Sequence, residues 1–176
     1  MLKASLALGA LVVSLINAAP INATASRISA ERSIGYGVPP KLAYLVEAAG
    51  VSVFDGRDYP EFCAQHDDKV LGIYNSKINA MLMCVQNFGD RTDLYVEVFA
   101  HEAVHMAQDC RAGIANVELY SGTPEYLKGL WRSLPQFKQE NILKNYPESA
   151  YAAETEAFYF EDYPDEVANA VSDVCF

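Results

Sequence analysis

The 176-residue chain predicts an α+β fold, a small antiparallel sheet with one hairpin packed on a long histidine-bearing helix and a second, glutamate-bearing helix. Two observations carry this. Short apolar runs with alternation lie between residues 51 and 85, and from residue 90 onward the regular spacing is helical. A length of 176 residues with 51% hydrophobic content supplies one core rather than two.

The elements follow in order. Met1-Leu2-Lys3 is a short basic start, Ala4 to Ile16 an apolar run, and Ala23-Thr24-Ala25 fits the small-x-small cleavage pattern, with Ala18 or Ala19 as earlier alternatives. Residues 1–25 therefore read as a secretory signal peptide, too short in its apolar part to span a bilayer. Residues 26–38 read as an exposed polar leader and 39–176 as one domain. Leu42, Leu45, Val46 and Ala49 repeat at helical spacing before Gly50. Val51 to Phe54 forms a strand, and Val70 to Tyr74 and Ile78 to Val85 form a hairpin about Asn75-Ser76-Lys77. The last strand is apolar on both faces, as suits a strand covered by a helix. Thr92 or Asp90 caps a helix running to Arg111, with Gly113 closing it. Ile114 to Pro135 reads as irregular. Helices follow over 136–145, from Pro147 to Asp162, and from Pro164 to Val171.

Charge and cysteines bound the function. A net charge of −10, moving to −11 when cleavage after Ala25 removes Lys3 and no acid, argues against a nucleic-acid surface and against docking on anionic membranes. An exported chain, secreted or periplasmic, meets an oxidising compartment, where Cys63, Cys84, Cys110 and Cys175 read as two disulfides. Three pairings exist. Cys63–Cys84 with Cys110–Cys175 is favoured because the first pair brackets one compact hairpin.

The most informative stretch is His101-Glu102-Ala103-Val104-His105, which holds two of only three histidines. On a helix, residues four apart share a face, so both imidazoles can address one ion. Zinc accepts His nitrogen, and the intervening glutamate can act as general base on a metal-bound water. Along the same helix Glu97, His101, His105 and Gln108 or Asp109 form a polar stripe, costly on a buried helix unless it lines a site.

Catalytic zinc needs a third protein ligand. His66 lies in an acidic, exposed loop, and Arg111 stands where a third histidine six residues after His105 would fall. A carboxylate must serve. Glu154 and Glu156 lie in an apolar, buried helix about 200° apart, so they cannot face the same ion. Glu154 shares its face with Ala150, Tyr151 and Ala157, where small residues allow close approach to the histidine helix, and it is the favoured ligand.

His101 to His105 followed by Glu154-x-x-Ala157 resembles the gluzincin metallopeptidases, over roughly residues 70–162. The resemblance implies a zincin-like fold, one zinc ion held by His101, His105 and Glu154, Glu102 as base, and a peptide or protein substrate. It also implies a hairpin edge strand, here Ala80 to Val85, beside bound peptide. Many family members carry an aspartate four residues after the glutamate ligand, where it orients a zinc-bound histidine. Here that residue is Phe158, with Asp109, Glu97 or a backbone carbonyl as substitutes. A donor for the oxyanion comes from Tyr146, Tyr151 or Tyr159, and Tyr151 is preferred because it shares the Glu154 face. The competing readings are a zincin-like binding or inhibitory protein that does not turn over substrate, and a disulfide-held domain with a fortuitous motif.

Overall fold

The computed structural model describes residues 25–64, 70–114 and 119–176. The segment expected to be a signal peptide, apart from Ala25, and His66 lie outside these residues. The architecture is α+β, with eight helices and a three-stranded sheet among the described residues.

The sheet is mixed rather than antiparallel. Its strands β1 (Ser52–Asp55), β2 (Gly72–Asn75) and β3 (Ala80–Met83) lie in the order β1-β3-β2, with β3 antiparallel to β2 and parallel to β1. The reason lies in the connections. Asp55 at the end of β1 and Gly72 at the start of β2 both pair with Met83, so the chain crosses one end of the sheet and returns antiparallel. The hairpin then brings β3 back between them. A disulfide joins Cys63, at the end of helix α3 (Pro60–Cys63), to Cys84 just beyond β3. Asn87 Nδ2 donates to the carbonyls of Cys63 and Val70, both at 2.8 Å, holding the two ends of the crossing together.

The expectation of an exposed leader over 26–38 is corrected. Ile28 N donates to Val53 O at 2.8 Å, Arg27 bridges Phe54, and Ile28, Ala30, Ser33 and Val38 are buried. Helix α1 (Ala30–Gly35), capped by the Ser29 hydroxyl, therefore belongs to the domain and packs on α2 (Pro40–Ala48). Ile28, Ala30 and Val38, set among polar residues, supply the buried apolar face.

Helix α4 (Thr92–Ala112) is the axis of the fold. It packs on β2 and on the last two helices, and 14 of its residues are buried. Its first turn has no side-chain cap, so neither Asp90 nor Thr92 acts as one, while Gly113 ends it at φ +101°, where a side chain would be strained. Within the segment expected to be irregular, α5 (Pro124–Ser133) forms behind a Thr123 cap and an N-terminal proline. Only Leu130 of this helix is buried. Helices α6 (Gln136–Asn145), α7 (Tyr151–Phe160) and α8 (Pro164–Cys175) complete the domain; a 3₁₀ turn over Glu148–Ala150 delays α7 beyond Pro147.

The second disulfide, Cys110–Cys175, ties the end of α4 to the end of α8. Both favoured pairings are thus present. Their sequence separations, 21 and 65 residues, set their expected contributions. In the chain-entropy model Cys63→Ser with Cys84→Ser costs about 3 kcal/mol and Cys110→Ser with Cys175→Ser about 4 kcal/mol. Urea unfolding of the two double variants should give that order, the longer loop losing more.

Candidate metal centre

Helices α4 and α7 pack against one another, and this places three side chains at one point. His101, His105 and Glu154 offer ligand atoms that all lie within 4.8 Å of one another. His101 Nε2 stands 3.4 Å from Glu154 Oε2, and His105 Nε2 stands 3.4 Å from Glu154 Oε1. His101 is 1% exposed, His105 and Glu102 2%, and Glu154 0%. Within this buried group both Nε2 atoms and both Glu154 oxygens lack hydrogen-bond partners. Four convergent, unsatisfied ligand atoms are costly in a folded core unless something binds them.

The other ring nitrogens are fixed. Gln108, one turn beyond His105, donates through Nε2 to Ala153 O at 3.0 Å and to Glu156 Oε2 at 2.9 Å. Its amide is thereby oriented, so Oε1 must accept from His105 Nδ1–H at 2.8 Å. Glu161 Oε2 accepts from His101 Nδ1–H, also at 2.8 Å. With Nδ1 of each ring held from behind, each Nε2 faces Glu154, the orientation a metal ligand requires.

Charge points the same way. Glu161 is paired with Lys138 at 2.8 Å and Glu156 with Arg111 at 3.0 Å, so each outer carboxylate has its own cation. Glu102 and Glu154 pair with no Lys or Arg among the described residues, and the set fits a divalent metal, with two nitrogens and a carboxylate as donors.

Glu102 sits on β2 as well as beside the histidines. Its Oε2 accepts from Tyr74 N at 2.7 Å. Gly72 makes this contact possible, since a Cβ there would stand 2.7 Å from Val98 Cγ1 and 3.2 Å from Glu102 Cγ. Burial raises the Glu102 carboxyl above its ordinary value, the two histidines acting against it. The expectation that Ala80 to Val85 offers an edge to a peptide is corrected: β3 is central, paired on both sides, and β2 is the strand beside the histidine helix.

Glu156 does not reach the histidines; it meets Gln108, Arg111 and the Tyr126 hydroxyl, which donates to it at 3.2 Å. Tyr151, the preferred oxyanion donor, is also not brought to the centre. Its hydroxyl donates to Leu143 O at 3.4 Å on the surface side of α7. Tyr146 is the tyrosine that arrives. Its hydroxyl is buried without a partner, and burial, with the carboxylates of Glu154, Glu102 and Glu161, holds the phenol well above its ordinary pKa. Phe158 closes the other side, its ring 4.7 Å from that of His101 and edge-on to it. Leu134, Ile142, Tyr146 and Phe158 make a small apolar cluster against the site.

Sequence reasoning missed Glu161 and Lys138. Glu161 lies seven residues after Glu154, two full turns along the same face, and that spacing is the signal by which it could be found. Asp109, one of the proposed substitutes, instead accepts from the Tyr74 hydroxyl at 2.7 Å.

Comparison of the chain with family models, with curated proteins and with solved structures returned no match. Two disulfides fit an oxidising compartment, and among the described residues no helix is long and apolar enough to cross a membrane.

In the metal-free chain, burial opposes a charged imidazole, yet the Glu154 and Glu161 carboxylates outweigh it and push His101 up to about 10, from 6.5. A raised pKa stabilises the fold fully below 6.5, and that contribution disappears as pH rises through about 10. Chelator-treated protein should therefore lose urea resistance between these values, and Glu154→Gln should flatten the dependence.

Proposed function

We propose that this chain is an exported, zinc-dependent metallopeptidase of the gluzincin type. The observation that carries the reading is the convergence of unpartnered Nε2 atoms of His101 and His105 on the unpartnered Glu154 carboxylate, with Glu102 next to His101 on the same helix. Zinc held there supplies a fourth coordination position, a more acidic water and polarisation of a substrate carbonyl. Glu102 takes the proton of the attacking water and returns it to the leaving amine, and its raised pKa suits both duties. The Tyr74 amide holds the Glu102 side chain in place meanwhile. Tyr146, protonated throughout because its pKa is so high, is the donor placed to steady the developing oxyanion.

A second reading has an observation in its favour. His101, Glu102, His105 and Glu154 are all at 2% exposure or less, so a peptide must displace part of the covering cluster to reach them. That closure suits a protein that holds metal without turning over substrate.

Zinc analysis and peptide hydrolysis separate the two. Purified protein should hold one zinc, lose it on His105→Ala or Glu154→Ala, and keep it on Glu156→Ala. Loss through Glu156→Ala alone would overturn the ligand set. Glu102→Gln should retain zinc while kcat falls by about 10²- to 10⁴-fold. Zinc binding with no cleavage across a broad peptide library selects the second reading.

Tyr146→Phe tests the donor independently. It should leave zinc content unchanged and lower kcat by about 10²- to 10³-fold, the usual loss for one oxyanion donor, while Tyr151→Phe remains near wild type.

A further inference from the structure

Lys138 is an unusual residue to find inside this domain. It projects from α6, a helix without a metal-binding side chain, and is 6% exposed. All three of its ammonium donors are occupied, by Glu161 Oε1 at 2.8 Å, Asp162 Oδ2 at 2.7 Å and Phe158 O at 2.9 Å. Burying an ammonium is unfavourable unless it is paired and hydrogen-bonded, so so complete a set of partners marks a fixed position. The partners themselves are informative. Glu161 is the residue whose other oxygen holds His101 Nδ1, and Phe158 is the residue whose ring lies against His101.

We propose that Lys138 is a positioning residue for metal binding, acting through Glu161 to hold His101 with Nε2 directed at Glu154. This rests on the metal reading above and adds a residue from a third helix. A carboxylate tethered at one oxygen only can rotate about its side-chain torsions. Anchoring Oε1 to Lys138 fixes the carboxylate plane and therefore the position of Oε2 against His101. The two histidines differ in this respect. His105 is set by Gln108 of its own helix, whereas His101 depends on a chain that crosses from α4 to α7 to α6.

A role confined to tying α6 to α7 would change stability and leave zinc affinity of the folded protein unaltered. A positioning role predicts more. Support between Lys138 and the metal is reciprocal, so loading the metal must stabilise the helix that carries Lys138.

The test compares Lys138→Met, which keeps length and removes charge, with Lys138→Arg, which keeps charge. Zinc affinity is measured by competition with a chromophoric chelator, and the Co²⁺-substituted visible spectrum reports ligand geometry. Lys138→Met should bind zinc about 10- to 100-fold more weakly, with an altered cobalt spectrum. Lys138→Arg should recover most of the affinity. Adding Glu161→Gln to Lys138→Met should cost little further, because both act on one path. Asp162→Asn, which leaves the Glu161 contact intact, should stay within a few-fold of wild type. Wild-type affinity in folded Lys138→Met overturns the inference and leaves the metal reading standing, whereas a wild-type chain that binds no zinc overturns both. Should Lys138→Met fail to fold, hydrogen exchange on the wild type decides. Slower exchange over 136–145 on zinc loading supports the inference, and unchanged exchange there overturns it.

Discussion

The convergence of two unpartnered imidazole nitrogens on an unpartnered carboxylate is the constraint around which this domain is organised. Buried polar atoms without partners cost about 1–3 kcal/mol each, so such a cluster persists only where the surroundings hold it rigidly. The surroundings here do so without satisfying it. Gln108 and Glu161 bond to the far side of each histidine, Glu156 and Arg111 fix Gln108, and Lys138 fixes Glu161. None of these contacts reaches the near side. The inner atoms are left without a hydrogen bond, and the Tyr146 hydroxyl near them is likewise unpartnered.

The sheet is small because its task is local. It has three strands of four residues each. β2 lies against the histidine helix through a glycine and anchors it at two points seven residues apart, the Tyr74 amide at Glu102 and the Tyr74 hydroxyl at Asp109. One residue thus sets both the height and the rotation of the helix relative to the strand. The disulfides act on the periphery. Cys63–Cys84 secures the crossing at one end of the sheet, and Cys110–Cys175 brings α8 alongside α4.

Much of this was legible in the sequence, for identifiable reasons. The His101–His105 pair, Glu154 and the extent of the central helix follow from spacing on one element or from a single apolar face. Both disulfides are the pairing favoured, among three possible ones, because Cys63 and Cys84 bracket one hairpin. What stayed hidden depends on non-local geometry. The parallel pairing of β1 needs the path taken beyond Asp55. The docking of residues 26–38 rests on four buried side chains, Ile28, Ala30, Ser33 and Val38, and on pairing with a distant strand. Tyr146, at the end of α6, lies outside the helix that carries Glu154, so no helical wheel relates the two, and the Tyr151 hydroxyl turns to Leu143 O instead. Lys138 was invisible because its partners lie 20 to 24 residues away on another helix.

The strand ends have a consequence outside the metal centre. An open sheet edge offers unpaired amides and carbonyls to neighbouring molecules, a route to aggregation. In this domain, the outer side of β1 is met by residues 26–28, through Ile28 N to Val53 O and Asp55 N to Ser26 O. On the far side, the Tyr74 amide of β2 is taken by Glu102. The same glutamate that the proposed chemistry needs as a base is therefore also an edge guard. Replacing it by a residue that cannot accept a hydrogen bond would leave the buried Tyr74 amide unsatisfied, so strand edge and proposed chemistry depend on one side chain.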